Sequence, residues 1–244
     1  MYRNTLTTIT AIFTLTLNLV FTQVVINEIH YNPGSAQGSD YDFEFLELYN
    51  PGAVDVDMSR YSFTQGVNLA AYTWIDSSVV SGSAGQDSTV YDTTTASVFP
   101  DGTTLAAGAY MIVSIHSYQA SGNVNGNITE NVYDPDGDGL HENGAVVVEW
   151  ASGGLSNGGE DVTIVDASGV VVDSVDYEDG SNDFGDWGTS HDGGGGSLEL
   201  INATSDNSLA ASWQTSWVIG GTPGAANSTE PVAEVMTIYN IQYT

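Results

Sequence analysis

Apolar residues recur along the chain in short alternating or paired runs. Alternation places successive side chains on opposite faces of a strand, and no stretch keeps the 3.6-residue period of a capped helix. The runs predict eight strands, at residues 24–31, 43–49, 61–63, 110–115, 146–150, 162–165, 170–177 and 197–201. Short strands at this spacing indicate an all-β protein with the architecture of a β-sandwich.

The clearest pair of strands is the segment VTIVDASGVVVDSVDY, residues 162–177. Its two apolar runs flank residues 166–169, where small side chains and a glycine suit a tight turn. We therefore expect an antiparallel hairpin at this position. The composition agrees, since the chain has 28 Gly, only 6 Pro and many Thr, Val and Tyr residues, as strands joined by turns require.

Two polar stretches interrupt the strand pattern. Residues 67–98 are rich in Ser, Thr and Asp, and residues 118–143 are rich in Asn, Gly and Asp. Loops of this length are uncommon in a compact domain unless they carry a function or bind a ligand. We interpret both stretches as long loop insertions into the sandwich.

Residues 1–22 have the composition of a secretory signal peptide, because Arg3 precedes an apolar, Thr-rich run from about Leu6 to Phe21. The alternative is a membrane anchor, but polar Thr and Asn side chains interrupt the run and make it a poor spanning helix. We expect cleavage before Gln23. The mature protein would then have no transmembrane segment and would be secreted or displayed at the cell surface.

The mature chain is strongly acidic. All 31 Asp and Glu residues lie beyond residue 22, where Arg60 is the only Lys or Arg, so the net charge there is 1 − 31 = −30. Such a surface repels phosphate, and this segment is therefore not expected to bind DNA or RNA directly. Solubility in a salty or calcium-rich medium explains the charge. The chain has no cysteine, which excludes disulfides and thiolate zinc sites.

The composition changes again near the C-terminus. Residues 228–234, STEPVAE, resemble an interdomain linker. Residues 235–244, VMTIYNIQYT, are strand-like, and we interpret them as the first strand of a truncated second domain. Further domains are therefore expected to follow.

Glu28 and His30 lie two residues apart in the first predicted strand, where an acid/base pair or a metal site could begin. Residues two apart share a face of a strand, so these side chains should point one way and Asn27, Ile29 and Tyr31 the other. No third ligand is evident in the sequence. A structural role for the strand is therefore the better interpretation.

A second carboxylate pair, Glu44 and Glu47, is three residues apart and should lie on opposite faces of its strand. Nucleophilic catalysis is not indicated, because no serine lies in a nucleophile elbow and there is no thiol. The four histidines lie in unrelated contexts, at His30, His116, His141 and His191. The sequence therefore predicts no catalytic residues.

The sharpest local motif is DPDGDGLHENG, residues 134–144. Alternating carboxylates followed by Gly139 match a loop that folds oxygen ligands around calcium. The ligands would be Asp134, Asp136, Asp138 and Glu142. The twelfth position is Ala145 rather than the bidentate Glu of an EF-hand, so the loop more nearly resembles the Asp-repeat calcium loops of extracellular proteins. An acidic, solvated turn is the alternative.

Aromatic residues mark two further positions. Trp187 and His191 lie in an Asp- and Gly-rich loop, residues 181–196, where exposed rings could stack on sugars but more commonly cover the end of a sandwich. Trp213 and Trp217 lie four apart near the C-terminal edge. We expect both tryptophans to fill the core.

Six blocks of the sequence occur in the order found in bacterial lamin tail domains. They are VVINEIHYNP, FEFLELYNPGAVDVDMSRYSF, FPDGTTLAAGAYMIV, GGLSNGGEDVTIVDASGVVVDSVDY, GGGGSLELIN and SWQTSWVIGGTPGAAN. The chain resembles this family over about residues 24–227. The resemblance implies an immunoglobulin-like β-sandwich spanning residues 23–227, generally a non-catalytic module of secreted or surface multidomain proteins.

Three functions remain open at this point. The first, which we favour, is a non-catalytic module for attachment, targeting or domain positioning, with a protein or polysaccharide partner. The second is an accessory region of an extracellular nuclease, because TIYNIQYT at residues 237–244 is similar to the opening strand of the OB-fold-like domain that follows lamin tail domains in some nucleases. The third is a calcium-dependent adhesin or sugar-binding module.

Overall fold

The computed structural model describes residues 24–38, 40–69, 71–73, 90–92, 98–115, 132–134, 139–152, 154–180 and 187–228. The predicted signal peptide, residues 229–234 of the linker and the strand-like residues 235–244 lie outside the described residues. Asp136, Asp138 and His116 lie outside them as well. Much of the second predicted insertion, residues 118–143, also lies outside the described residues.

Within these residues the regular secondary structure consists almost entirely of strands. They are β1 (Val25–His30), β2 (Phe45–Tyr49), β3 (Val56–Asp57), β4 (Ser62–Gln65), β5 (Asn68–Leu69), β6 (Ala71–Thr73), β7 (Val90–Asp92), β8 (Thr104–Leu105), β9 (Tyr110–Ile115), β10 (Val146–Ser152), β11 (Glu160–Val165), β12 (Val171–Tyr177), β13 (Leu198–Leu200) and β14 (Trp213–Thr215). A short helix, α1 (Asp40–Phe43), precedes β2. The all-β class is confirmed, and each predicted strand is present within a few residues of its predicted bounds.

The strands form a seven-stranded sheet in the order β14-β13-β1-β2-β9-β10-β5 and a three-stranded sheet in the order β12-β11-β4. Neighbouring strands are antiparallel except β9 and β10, which are parallel. The predicted hairpin is β11–β12, and the amide of Gly169 closes its turn by donating to the carbonyl of Asp166 over 2.9 Å. Strand β1 lies near the middle of the large sheet, between β13 and β2.

The main core lies between the two sheets. The large sheet contributes buried residues that include Ile29, Leu46, Leu48, Met111, Val113, Leu198 and Leu200, and the small sheet contributes Phe63, Val162, Ile164, Val175 and Tyr177. On β12 the buried positions alternate with exposed or half-buried ones, which is the pattern of a sheet with one face on the core.

The large sheet is also covered on its second face, which we call the outer face. All six residues of β1 and all three of β13 are buried. A second apolar cluster covers part of the outer face and consists of Phe45, Ile112, Tyr133, Ala145 and Val147. Residues 220–228 cover another part, through the hydrogen bonds described below. The sandwich therefore has a third, partial layer.

The first predicted insertion is not a plain loop. Strand β5 pairs with β10 at the edge of the large sheet, and β6 pairs with β7 in a separate ribbon. These strands have two or three residues each, which is too short for an alternating pattern to be recognised. No helix in the described part of the chain has the length and apolar character needed to cross a membrane.

Candidate functional site

Three glutamates lie side by side on the outer face of the large sheet. Glu28 of β1 is paired with Glu199 of β13 on one side and with Glu47 of β2 on the other. Each has an exposed fraction of 0%. Because paired strands are about 4.7–4.9 Å apart, these residues form a line across three strands, which we call the carboxylate row.

A bulge in β1 shapes this part of the face. The register of β1 against β2 shifts between Ile26 and Glu28, so Asn27 as well as Glu28 turns to the outer face. The amide nitrogen Nδ2 of Asn27 donates to Oε1 of Glu47 over 2.7 Å. The prediction that Asn27 points away from Glu28 is therefore wrong, because the bulge adds a residue to the alternation. Ile26 uses its backbone N–H to donate to Oδ2 of Asp173 over 2.7 Å.

Residues 220–228, which we call the C-terminal strap, lie against the carboxylate row. The strap donates backbone hydrogen bonds to all three glutamates. The amides of Thr222, Gly224 and Ser228 lie 2.9, 2.6 and 3.0 Å from oxygens of Glu28, Glu47 and Glu199 respectively. These contacts fix the course of the strap, because a buried carboxyl oxygen or amide left without its partner would be costly.

Side chains hold the strap at further points. Nδ2 of Asn227 donates to the carbonyl of Leu200 over 2.8 Å, and Nδ2 of Asn143 donates to the carbonyl of Pro223 over 3.1 Å. At Gly221, with φ of 76°, an added Cβ would lie only 2.0 Å from Oε1 of Glu28. Only glycine allows the strap to approach the carboxylate row this closely.

Burial dominates the electrostatics of the row. It raises the pKa of Glu28 from 4.5 to about 8 and the pKa of Glu47 well above its ordinary value, with the charge of Glu28 adding to the effect on Glu47. Arg60, the only Lys or Arg beyond residue 22, lies on the surface 3.6 Å from Asp101. Protonation rather than a basic side chain therefore offsets the burial of Glu28 and Glu47, and Glu28 is mostly protonated at neutral pH.

The hydroxyl of Thr222 lies between two carboxyls of the row. Oγ1 of Thr222 is 2.9 Å from Oε1 of Glu199 and 3.3 Å from Oε2 of Glu28. A hydroxyl has a single hydrogen to donate, and the shorter contact favours Glu199 as its acceptor. This chain of hydrogen bonds links two carboxyls of the row through the strap.

His30 shares the outer face with Glu28, as predicted, but the two do not form an acid/base pair. The imidazole packs edge-on against Phe45 with ring centroids 5.6 Å apart. Its Nε2 lies 3.2 Å from Nε2 of Gln37, and its Nδ1 has no hydrogen-bond partner among the described residues. Burial lowers the pKa of His30 to about 4. This neutral, buried ring is placed for packing rather than for proton transfer to a nucleophile.

His191 and Trp187 pack at one end of the sandwich. The ring of His191 lies edge-on to Tyr31 at 5.6 Å, and neither ring nitrogen has a hydrogen-bond partner in the part of the chain that the structure describes. Burial lowers the pKa of His191 to about 4. Trp187 is half-buried, with its ring 6.1 Å from that of Trp213. Trp187 and His191 therefore cover the end of the sandwich, in agreement with the more common of the two predicted roles.

The two C-terminal tryptophans differ from each other. Trp213 is buried in the core, as predicted, and its Nε1 donates to the carbonyl of Asn207 over 2.8 Å. Trp217 is 54% exposed, so the prediction of a core role for it is wrong. The reason is that β14 ends at Thr215 and the following turn carries Trp217 to the surface.

The structure describes the two ends of the predicted calcium loop, at residue 134 and from residue 139 onward. Asp134 is 9% exposed, and its Oδ2 accepts a hydrogen bond of 2.9 Å from the amide of Gly139. Glu142 is exposed. Asp136 and Asp138 lie outside the described residues, and among the residues that are described no group of three or more His, Asp or Glu could hold a metal ion. The calcium site therefore stays a prediction. The first and sixth positions of the loop, Asp134 and Gly139, are joined by a hydrogen bond.

A model of the Lamin Tail Domain family matches residues 20–179, about two thirds of the chain. The chain belongs to the lamin tail domain family. This family consists of non-catalytic, immunoglobulin-like domains, in agreement with the all-β sandwich and with the absence of predicted catalytic residues from the sequence. No curated protein and no solved structure matches the chain.

The part of this lamin tail domain that matches the family model ends two residues after β12. Strands β13 and β14 and the C-terminal strap follow, and they supply Glu199 and the donors that complete the carboxylate row. The sequence does contain a signal for the row. Glu47 and Glu199 each lie between two leucines within a strand, and Glu28 is followed by Ile29 in a buried strand, where a charge is expensive to bury without partners.

Proposed function

We propose that this lamin tail domain is a non-catalytic positioning module of a secreted or cell-surface multidomain protein. The observation that carries the proposal is the attachment of the C-terminal strap to three buried glutamates. A chain that is fixed up to Ser228 leaves the sandwich at one place and in one direction. Whatever follows therefore starts from a fixed point on the domain rather than from a flexible end.

The position of the two ends of the domain supports this role. Nδ2 of Asn27, near the start of β1, donates to Oδ1 of Asn227 over 2.8 Å, and Nδ2 of Asn227 donates to the carbonyl of Asn27 over 3.1 Å. The first strand and the strap thus meet at the centre of one sheet. The chain that follows the strap therefore leaves from a point that is tied to the first strand, which supports a fixed exit.

The accessory-region hypothesis is compatible with positioning, because a nuclease domain is one kind of unit that could follow. The net charge of −30 beyond residue 22 argues that nucleic acid would be bound by such a unit and not by the lamin tail domain. The calcium-dependent alternative draws support from a different observation. The hydrogen bond from Gly139 to Asp134 is the contact that would close a calcium loop.

Fluorescence anisotropy decay tests the positioning role. The chain has no cysteine, so Ala226→Cys places a single dye on the exposed side of the strap. We expect this dye to tumble with the whole domain. Gly224→Pro, which removes the amide that donates to Glu47, should add a fast local component at residue 226.

A dye on the β11–β12 hairpin provides the matched control. In a Val170→Cys chain the decay should be the same with and without Gly224→Pro. A dye at residue 226 that moves freely in the otherwise unchanged chain would show that the strap does not fix the exit and would contradict the proposal.

The same preparation should neither hydrolyse nor bind DNA at moderate salt. Metal-dependent DNA hydrolysis that is intrinsic to the chain would contradict the non-catalytic role.

A further inference from the structure

Three consecutive apolar residues are exposed directly before the C-terminal strap. Trp217, Val218 and Ile219 have exposed fractions of 54%, 47% and 70%, and we call them the apolar loop. Single exposed apolar residues are common on proteins, but runs of three are unfavourable in water unless they serve a function. The apolar loop therefore requires a partner that covers it.

Hydrogen bonds hold the apolar loop in one conformation. On one side the amide of Ser216 donates to the carbonyl of Ser197 over 2.8 Å, and on the other the amide of Gly220 donates to the carbonyl of Gly195 over 2.7 Å. The amide of Gly221 donates to the carbonyl of Val218 over 3.1 Å. The apolar side chains are thus presented on a fixed backbone, which lowers the entropy cost of binding.

The surroundings of the apolar loop carry few charges. Residues 207–229 contain no Asp, Glu, Lys, Arg or His, although the chain as a whole has 31 acidic residues. Glu199, on the neighbouring strand, is 0% exposed. A partner can therefore cover the loop without desolvating a carboxylate, which would be costly. A partner that is itself uncharged fits this surface best.

The course of the chain indicates which partner this is. The amide of Trp217 donates to Oγ of Ser228 over 2.8 Å, so the described chain ends beside the apolar loop. Residues 229–234 extend over at most about 20 Å. Residues 235–244 then contain no charged residue. In an extended conformation their apolar residues Val235, Tyr239, Ile241 and Tyr243 would share one face.

We propose that the apolar loop is the docking surface for residues 235–244 of the same chain. The proposal rests on the positioning role and names the contact through which the module would orient the unit that follows the linker. Burial of three partly exposed apolar side chains supplies the driving force. A second copy of this chain is a poorer partner, because two chains of the same large negative charge repel each other.

Thiol labelling tests this contact in the full chain. Val218→Cys places the only thiol in the apolar loop, and its reaction rate with a maleimide reports how often the loop is uncovered. In the same chain, Tyr239→Asp together with Ile241→Asp should abolish docking and raise the labelling rate several-fold. A Val170→Cys chain, with the thiol on the exposed hairpin, should react equally fast with and without the two aspartates.

Equal labelling rates at residue 218 with and without the aspartates would overturn the proposal. Protection that grows with protein concentration would also overturn it, because a second copy would then be the partner. Unchanged melting temperatures would establish that the aspartates leave the sandwich folded. Failure of docking is distinguishable from failure of the positioning role, because the dye at residue 226 reports on the strap alone.

Discussion

The domain should lose stability as the pH rises from 6.5 to 8, because Glu28 must give up its proton inside the carboxylate row. Burial raises the pKa of Glu28 from 4.5 to about 8. Between these two values the folded state binds a proton that the unfolded chain has already released, so the free energy of unfolding falls with pH. The contribution of Glu28 is fully present below pH 4.5 and is lost as the pH passes about 8.

The size of the effect follows from the difference between the two pKa values. A difference from 4.5 to about 8 corresponds to about 5 kcal/mol, at about 1.4 kcal/mol for each pKa unit. Between pH 6.5 and 8, Glu28 alone should account for about 1.5–2 kcal/mol of this loss, because the slope flattens near its folded pKa. Glu47 has a pKa that is raised in the same direction and should add to the loss.

The two buried histidines determine the choice of pH range. Burial lowers the pKa of His30 and of His191 from 6.5 to about 4. Their contribution to stability is present above pH 6.5 and is lost as the pH falls through about 4, which is the opposite slope to that of Glu28. Near pH 6.5 the histidines of the unfolded chain still titrate and offset part of the loss, and Glu44, whose pKa burial also raises to about 8, adds to it. The comparison of the wild type with Glu28→Gln therefore isolates the contribution of Glu28.

Urea unfolding followed by tryptophan fluorescence, at pH 6.5, 7, 7.5 and 8, measures the predicted slope. Glu28→Gln replaces the protonated acid by a neutral amide of nearly the same shape, which cannot ionise. This variant should lose about 1.5–2 kcal/mol less than the wild type across the range. Asp161→Asn, which removes an exposed carboxylate from β11, should leave the slope unchanged. A wild-type free energy that stays constant or rises, or a Glu28→Gln slope equal to the wild-type slope, would refute the reasoning.

Two further predictions concern the strap and the calcium loop. Gly221→Ala should destabilise the domain by about 2 kcal/mol more than Gly220→Ala. Both positions have positive φ, but only a Cβ at 221 meets Oε1 of Glu28. Equal losses of stability in urea unfolding would contradict the close approach of the strap to Glu28. Millimolar calcium should raise the melting temperature of the wild type and not that of Asp136→Ala, and a wild-type melting curve that does not respond to calcium would remove the predicted site.

Local periodicity was sufficient to predict eight of the fourteen strands and most of their orientations. Ile29 and Tyr31 lie in the core while His30 lies on the outer face, as alternation requires. Glu44 and Glu47 lie on opposite faces as well. Glu44 accepts a hydrogen bond from the amide of the core residue Leu155, whereas Glu47 accepts one from the strap. These features depend on a period of two, which neighbouring residues in the sequence define.

Features that depend on distant parts of the chain were not predictable in this way. The bulge at Asn27 breaks the alternation without a glycine or proline to mark it. The carboxylate row requires the order of β13, β1 and β2 in the sheet, which the spacing of the strands in the sequence does not define. The exposure of Trp217 depends on where β14 ends. In each case the deciding contact is between residues far apart in the sequence or at the end of a short element.

The long separation in sequence between Glu28 and the strap has a consequence for the synthesis of the chain. The amide of Thr222 that bonds to Glu28 lies 194 residues further along the chain, so a growing chain exposes β1 long before its cover arrives. During this time Glu28 is solvated and ionised, and a negative charge on an unpaired strand discourages pairing with other molecules. The same side chain takes up a proton when the strap closes. Glu28 is therefore a charged residue of the incomplete chain and a neutral residue of the finished one.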